Sequence, residues 1–152
     1  VRKRYAEQDT KLCVVSIGGG GYAESYGTLR VAEAVARRVS RTAKGDSVHW
    51  VIVYGPYYPH DVPDSDGNVT RLRFEPQLLE LFAGADVVVC NAGYNTVSEV
   101  AVCGTPAVVI PLKTTGRDDQ MERAKECEAR GHALLAREEE TDLLEKARES
   151  TA

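Results

Sequence analysis

The stretch ADVVVCNAGYNTVSEVAVCGTPAVVIP, residues 85–111, is the most informative part of the sequence about the fold class. It contains two short apolar runs rich in β-branched residues, at 87–90 and 107–110, each bounded by turn residues. Such runs are typical of strands buried on both faces of a parallel sheet. Between them, a turn containing Gly93 and Asn95 leads into a segment with helical spacing. The stretch therefore predicts a strand–turn–helix–strand unit with a ligand-sized loop after each strand.

Apolar runs alternate with helical patterns over nearly the whole chain, which favours an α/β domain built from βαβ units. We predict a parallel sheet of about six strands, within one domain that spans residues 1–152. The predicted strands are residues 12–17, 49–54, 69–74, 87–90, 107–112 and 133–135. The predicted helices are residues 26–41, 77–82, 96–103, 119–129 and 141–148.

Composition limits the classes of function. The chain has 152 residues, 43% of them apolar, which is enough for a single domain with its own core. Its net charge of -4 makes a nucleic acid an unexpected partner. No apolar run approaches the roughly 20 residues of a membrane helix, so direct membrane insertion is not expected. The four cysteines include no CxxC pair, and we expect reduced core thiols in a cytoplasmic protein.

The segment SIGGGGYAES, residues 16–25, places four consecutive glycines between the first predicted strand and the first long helix. Residues without a Cβ let backbone N–H groups approach a phosphate, and the helix N-terminus adds a favourable dipole. The alternative interpretation is that the glycines only form a tight turn. Four in a row exceed the needs of a turn, which favours a ligand.

Two other nucleotide-binding motifs also have glycines between a strand and a helix, as this segment does. Gly18, Gly20 and Ala23 satisfy the loose G-x-G-x-x-A pattern of dinucleotide sites. That pattern expects an acidic residue near the end of the second strand, where this chain has Tyr54-Gly55-Pro56. The absence of that carboxylate counts against an NAD-binding site. No Walker A lysine follows the glycines, so a P-loop is excluded.

A second anion site is predicted at the turn 92–95, whose backbone N–H groups open the next helix. If both loops lie at the carboxyl end of one parallel sheet, together they fit a diphosphate. The residues alone leave two interpretations of Glu99 open. Thr96-x-x-Glu99 has the spacing of a capping box, in which the glutamate accepts from a backbone donor at the helix start. The same carboxylate is also suited to bind a ribose.

A third polar segment, KTTGRDDQMERA at residues 113–124, precedes another predicted helix. Acidic residues in a first turn suit the helix dipole, which is the plain explanation of this pattern. Asp119 and Gln120 are also placed to hydrogen-bond sugar hydroxyls. No metal-ligand spacing and no nucleophile elbow are found, so we predict neither a metal site nor a catalytic residue within this chain.

These segments together resemble the C-terminal, donor-binding domain of family 28 glycosyltransferases. The resemblance lies in GGGGYAES, FEPQLLELFAGADVVVCNAGYNTVSEVAVCGTPAVVIPL and DDQMERAKECEARGHALL, which cover most of residues 12–135. It implies the C-terminal half of a GT-B fold, in which two Rossmann-like domains face each other. This half, with helices on both faces of its sheet, would hold a nucleotide sugar, usually a UDP-sugar.

The resemblance also implies roles for individual residues, grouped by the part of the donor that they approach. Arg123 departs from the pattern, since many relatives have asparagine there. The implied contacts of the diphosphate are Gly19, Gly20, Gly21, Gly93, Tyr94, Asn95 and Thr96. The implied contact of the ribose is Glu99, those of the base are Phe74 and Glu75, and those of the donor sugar are Asp119 and Gln120.

In that family the acceptor site and the catalytic base lie largely in an N-terminal domain that this chain lacks. We therefore expect the donor-binding half of a glycosyltransferase that uses UDP-N-acetylglucosamine or a similar donor and no further cofactor. It would need an N-terminal acceptor domain or a partner subunit, and would be inactive alone. The missing initiator methionine favours a fragment over a natural half. The alternatives are half of a nucleotide-sugar hydrolase or epimerase, and a non-catalytic docking subunit.

Overall fold

The computed structural model describes residues 1–42, 47–112, 119–136 and 146. Six strands and four α-helices alternate along the described chain, except that the third strand follows the second without a helix between them, and short 3₁₀ turns lie at Arg2–Arg4 and Ala23–Ser25. Of the predicted helix at 141–148, only residue 146 is among the described residues. The elements are β1 (Lys11–Ser16), α1 (Tyr26–Ser40), β2 (Val48–Val53), β3 (Val69–Leu72), α2 (Leu78–Gly84), β4 (Val87–Asn91), α3 (Tyr94–Cys103), β5 (Ala107–Ile110), α4 (Gln120–Ala129) and β6 (Leu134–Leu135).

The six strands form one sheet in the order β3-β2-β1-β4-β5-β6, and all neighbouring pairs are parallel. This confirms the predicted α/β class and the six-stranded parallel sheet. The chain moves outward from β1 through β2 to β3 and then returns to place β4 on the other side of β1. Ligands of doubly wound sheets bind beyond the carboxyl ends of the strands at such a reversal, because the two flanking loops diverge there.

Helices cover both faces of the sheet, as predicted. The inner strands β1, β4 and β5 are therefore buried on two sides, which explains their near-continuous apolar sequences. In β1, Cys13 and Val15 face one core while Leu12 and Val14 face the other. On the first face α1 contributes Leu29, Ala32, Val35 and Ala36. On the second face α2, α3 and α4 contribute Leu81, Phe82, Val100 and Ala124.

The four cysteines are all free thiols in the structure. Cys13, Cys90 and Cys127 are buried, and Cys103 is partly buried. Within the described ranges, no helix is both long enough and apolar enough to cross a membrane.

Candidate functional site

The two loops predicted to bind an anion are neighbours at the carboxyl edge of the sheet. β1 and β4 are adjacent, and Ser16 at the end of β1 pairs in register with Cys90. The glycine-rich loop begins directly after Ser16, and the loop that contains Gly93 begins after Asn91. Because both loops leave the sheet on the two sides of the reversal in strand order, they flank one crevice.

The glycine-rich loop packs against the segment that follows β2. The Gly19 carbonyl accepts a hydrogen bond from the Tyr57 N–H at 2.8 Å. A Cβ on Gly20 would lie 2.3 Å from the Tyr54 carbonyl oxygen, a distance that no side chain tolerates. The fold itself therefore requires a glycine at position 20. Glycines 19 and 21 are exposed at this edge, so their backbone remains open to a ligand.

The loop after β4 differs from the prediction at the start of its helix. α3 begins at Tyr94 with Gly93 as its N-cap, and no side chain caps it. Thr96 is thus the third residue inside the helix, and the capping-box interpretation of Glu99 is wrong. Glu99 lies in the second turn, half-buried, beyond the donors of the first turn. The structural explanation that competed with ribose binding is thereby removed.

Gly93 is the N-cap of α3, a position at which glycine is common, but neither its backbone conformation nor its surroundings require a glycine. Its φ of −63° is available to any residue. A Cβ built on it meets no atom of the described chain within 4 Å. No acidic residue lies in the first turn of α3, where acids commonly balance the helix dipole. The N–H groups at this helix start are consequently left open and electropositive, which suits an anion.

The start of α4 agrees with the interpretation that Asp119 stabilises this helix. The Asp119 carboxylate accepts a hydrogen bond from the Glu122 N–H at 3.1 Å and caps the helix. Gln120 is buried, with 8% of its surface exposed. Its Oε1 accepts from the Ala92 N–H at 3.1 Å and from the Leu112 N–H at 3.0 Å. The carbonyl of Gln120 therefore holds the ends of β4 and β5 together at the site.

Phe74 and Glu75, implied at the base, point in opposite directions. β3 ends at Leu72, two residues earlier than predicted, and Phe74 follows it with 61% of its surface exposed. Glu75 is 4% exposed, and its carboxylate accepts from the Tyr5 hydroxyl and from the Gln77 N–H. An exposed ring is suited to stack on a base, whereas the Glu75 side chain is held inside the protein.

The hydrogen bond between Tyr5 and Glu75 shifts the pKa values of both side chains. The bond from the Tyr5 hydroxyl, reinforced by the Gln77 N–H, lowers the pKa of Glu75 against the opposing effect of burial. Burial and the adjacent Glu75 carboxylate raise the pKa of Tyr5 to about 12. The pair is therefore an ionised carboxylate and a neutral phenol at neutral pH.

We expect the Glu75 pair to make the domain less stable in acid. Because the pKa of Glu75 in the folded state is below its ordinary value of 4.5, its stabilising contribution is fully present above that value. The contribution is lost as the pH falls through the lower folded pKa. Glu75→Gln, which does not titrate, should make the decline of the unfolding free energy shallower. Urea unfolding from about pH 6 to about pH 3 measures both slopes, and equal slopes would contradict the prediction.

Asn91 is a site residue that the sequence reasoning missed. It ends β4, is 5% exposed, and donates through Nδ2 to Thr28 Oγ1 of α1 at 2.9 Å and to the Ile110 carbonyl at 3.0 Å. Asn91 thereby ties α1, which follows the glycine-rich loop, to the strands that carry the other loops. Within the described part of the chain its Oδ1 has no hydrogen-bond partner. The available signal was a polar residue directly after an apolar strand.

The described residues contain no group of three or more His, Cys, Asp or Glu side chains that could hold a metal ion. His49 shares a hydrogen bond with Thr70 Oγ1 at 2.7 Å, in keeping with a structural role. His60 packs by its ring against Tyr58 and Tyr26. The described part of the site therefore offers backbone donors, the half-buried Glu99 carboxylate and exposed aromatic rings that include Phe74 and Tyr94.

Comparison with known proteins gives a family match over nearly the whole chain. Residues 14–151 match the glycosyltransferase family 28 C-terminal domain. The UDP-N-acetylglucosamine--N-acetylmuramyl-(pentapeptide) pyrophosphoryl-undecaprenol N-acetylglucosamine transferase of Salinibacter ruber is 32% identical over 121 residues, 78% of this chain and 33% of its own length. The enzyme of the same name from Flavobacterium psychrophilum is 27% identical over 91% of this chain and 37% of its own length. The chain thus spans about a third of these relatives.

Solved structures share the fold at low sequence identity. The crystal structure of the glycotransferase of kitacinnamycin superposes with a TM-score of 0.74 at 20% identity, covering 97% of this chain and 36% of that one. The crystal structure of Acinetobacter baumannii MurG gives a TM-score of 0.66 at 21% identity, covering 99% of this chain and 43% of that one. In each case the whole of the present domain corresponds to part of a larger chain.

Proposed function

The chain belongs to the glycosyltransferase family 28 C-terminal domain, and from this membership we propose that it is the donor-binding half of a UDP-sugar-dependent glycosyltransferase. The observation that supports the proposal most is the open start of α3. Gly93 leaves space that the fold does not use, and the helix start has neither a capping side chain nor an acid. A bound diphosphate would account for all three features.

The donor would lie across the crevice between the two loops. Its diphosphate would bind the N–H groups of residues 93–96 and approach the exposed glycines 19 and 21. Glu99, which has no capping role, would accept hydrogen bonds from the ribose hydroxyls. The Phe74 ring would cover the base, and Asp119 with the amide group of Gln120 would lie near the sugar. We propose N-acetylglucosamine as that sugar because the relatives that match are named for its transfer.

In the proposed reaction an acceptor hydroxyl attacks the anomeric carbon while the bond from that carbon to the diphosphate oxygen breaks. The electron pair leaves with the nucleoside diphosphate, which gains negative charge. Backbone N–H groups at the α3 N-terminus would stabilise that charge, and a dipole already in place costs no reorganisation when the bond breaks. The hydroxyl proton would pass to a base outside this chain.

A second domain or subunit would complete the enzyme, and the carboxyl edge is suited to receive it. Four exposed aromatic side chains follow four consecutive strands on this edge, and each is more than 60% exposed. Apolar surface gathered in one place is typical of an interaction site. We propose that an acceptor-binding domain packs here and closes the donor site, in a cytoplasmic enzyme. The residues are Tyr22, Tyr57, Phe74 and Tyr94.

Calorimetric titration with UDP, UDP-N-acetylglucosamine, TDP and NAD tests the proposal. We expect saturable binding of UDP, with a dissociation constant as weak as about 1 mM because the second domain is absent. NAD should not bind. Binding of NAD without UDP would overturn the glycosyltransferase proposal in favour of a dinucleotide enzyme. Failure of every nucleotide at about 10 mM would overturn it in favour of a docking subunit.

Gly93→Ala provides the matched test of the α3 loop. The added methyl group meets nothing in the described chain, and its restriction of the unfolded chain is opposed by the poorer capping of alanine at an N-cap, so we expect the free energy of unfolding to change by less than about 1 kcal/mol. The same methyl group would occupy the space assigned to the diphosphate, and we expect UDP affinity to fall about tenfold. Thermal unfolding and calorimetry measure the two effects. Unchanged UDP affinity would remove Gly93 from the site.

A further inference from the structure

A cavity of about 500 Å³ lies on the flank of the domain, between α1 and the segment that follows β2. On the helix side it is lined by Tyr26, Arg30, Glu33 and Arg37, which are spaced by three or four residues and therefore form one stripe. A helix rises 1.5 Å per residue, so this stripe extends about 16 Å along α1 from the carboxyl edge of the sheet. Most of the cavity is thus separate from the crevice proposed for the donor. Its volume is typical of small-molecule sites, roughly 300–1,000 Å³.

The second wall of the cavity is aromatic and is fixed by hydrogen bonds. Tyr54, Tyr58 and His60 line it. The Tyr58 ring packs edge to face against the rings of Tyr54 and Tyr26, with centroids 4.9 and 5.3 Å apart. Arg73 donates to the carbonyls of Tyr58 and His60 at 2.6 and 2.7 Å. Rings held in this way form an apolar surface before a ligand arrives, which lowers the cost of binding one.

The charge that remains available along the cavity is positive. The Glu33 carboxylate is already compensated, because it accepts from the Tyr54 hydroxyl at 2.8 Å and from Nε and Nη2 of Arg71 at 2.8 and 2.7 Å. Arg30 and Arg37 are exposed, and among the described residues their guanidinium groups have no partner in a hydrogen bond or ion pair. Guanidinium groups beside aromatic rings favour a ligand with a planar apolar body and a negative charge.

The cavity is connected to the glycine-rich loop through Tyr26. The Tyr26 hydroxyl donates to the Gly20 carbonyl at 3.3 Å. Beside the second wall, the Tyr57 N–H donates to the Gly19 carbonyl at 2.8 Å. A ligand that packs on the Tyr26 ring would hold the ring in place, and with it the hydrogen bond to Gly20. Occupation of the cavity would therefore order one loop of the proposed donor site.

We propose that this cavity is a second binding site, which takes a small aromatic acid and raises the affinity of the donor site by ordering the glycine-rich loop. The ring of the acid lies against the tyrosines, and its anionic group pairs with Arg30 and Arg37. Binding of the acid depends on the cavity alone, whereas its effect on the donor rests on the proposed function. Because coupling between two sites is reciprocal, UDP raises the affinity for the acid by the same factor.

Amide chemical-shift titration with 4-hydroxyphenylacetate tests the site and locates it. We expect a dissociation constant of about 1 mM for an acid of this size. The shifts should centre on residues 54–60 and on α1, and not on residues 93–96. The neutral 4-hydroxyphenylacetamide has the same ring without the charge and should bind about tenfold more weakly. Acetate, which has the charge without the ring, should show no saturation up to about 20 mM.

Exposed arginines allow the charge to be removed without disturbing the core. Replacing both residues, by Arg30→Gln and Arg37→Gln, should weaken binding of the acid about tenfold and leave binding of the amide unchanged. Arg41→Gln is the matched control, since it removes the same charge just after α1 and outside the cavity. Equal affinity for acid and amide, or full affinity in the double variant, would overturn the inference. Shifts centred on the exposed aromatic residues of the carboxyl edge, or no binding at about 20 mM, would also overturn it.

Titration of UDP with and without about 20 mM of the acid measures the effect on the donor site. We expect UDP to bind about fivefold more tightly when the cavity is occupied. Tyr26→Phe keeps the ring and removes its hydrogen bond to Gly20, so it should bind the acid as the parent does and show no coupling. Unchanged UDP affinity in the parent would overturn the effect on the donor. If the parent binds no UDP, the proposed function fails and this effect fails with it, while the shift titration decides independently whether the cavity binds the acid.

Discussion

Replacing Gly20 by alanine is expected to destabilise the domain by about 3 kcal/mol. Two costs add at this position. The residue has a φ of +80°, which an L-residue with a Cβ adopts at a cost of about 1–2 kcal/mol. The new Cβ would also lie 2.3 Å from the Tyr54 carbonyl oxygen, and relief of that clash requires the loop after β2 to move, at about 1–3 kcal/mol. Urea unfolding of parent and variant measures the sum.

Gly18→Ala is the matched control for this clash. Gly18 has nearly the same backbone conformation, with a φ of +75°, but a Cβ there meets nothing within 4 Å. We expect it to show the backbone cost alone, about 1–2 kcal/mol. Equal destabilisation by the two variants would contradict the close packing of Gly20 on Tyr54. The same result would also mean that packing requires none of the four glycines, so that a bound ligand could explain all of them.

Gly20 and Gly93 show that glycines in a candidate site can be present for two different reasons, packing within the chain and space for a ligand. Both were predicted to lie at a diphosphate, and the sequence pattern treats them alike. Gly20 is required by a neighbouring carbonyl, so its presence says little about a ligand. Gly93 has an ordinary φ and empty space around it, so the chain itself requires a glycine there only as one of several residue types that suit an N-cap, and a ligand can occupy the empty space. Variants at Gly93 test binding, whereas variants at Gly20 test folding.

The sheet was predictable because its signal is local. Runs such as 87–90 are short, β-branched and bounded by turn residues, and a parallel sheet buried on both faces needs that pattern. The ends of the helices and strands were predicted less accurately. α3 begins two residues before the predicted Thr96, because Gly93 caps it by its backbone while Thr96 and Glu99 only imitate a capping box. β3 ends at Leu72, since it is an edge strand and Phe74 turns outward.

The positions of the site loops also followed from the sequence, since loops after adjacent parallel strands meet at one edge. The hydrogen bonds that hold these loops in place relative to one another could not be predicted from the sequence. The hydrogen bonds from Asn91 to Thr28 and from the Ala92 N–H to Gln120 join residues 63 and 28 positions apart. Contacts at such separations depend on how helices pack on the sheet, and no local pattern reports them. Asn91 was missed for this reason, and Gln120 was predicted only as a sugar ligand.

Glu99→Ala is expected to raise the dissociation constant for UDP roughly 30-fold, which corresponds to about 2 kcal/mol for hydrogen bonds to a charged group. The free energy of unfolding should change little, because α3 begins at Tyr94 and Glu99 has no role as a cap. Glu7→Ala removes the same charge before β1, at the opposite edge of the sheet, and should leave UDP affinity unchanged. Calorimetry on the parent and both variants gives these values.

A second ligand locates the contact of Glu99 on the ribose. If the Glu99 carboxylate binds the ribose hydroxyls, the parent should bind UDP more tightly than 2′-deoxy-UDP, and Glu99→Ala should bind the two equally. The four affinities form a double-mutant cycle, whose coupling energy reports the contact and cancels general effects on the domain. A variant that still discriminates between the two ligands would place Glu99 away from the 2′-hydroxyl. A 30-fold loss of affinity with no coupling would then indicate that Glu99 supports the α3 loop and does not touch the nucleotide.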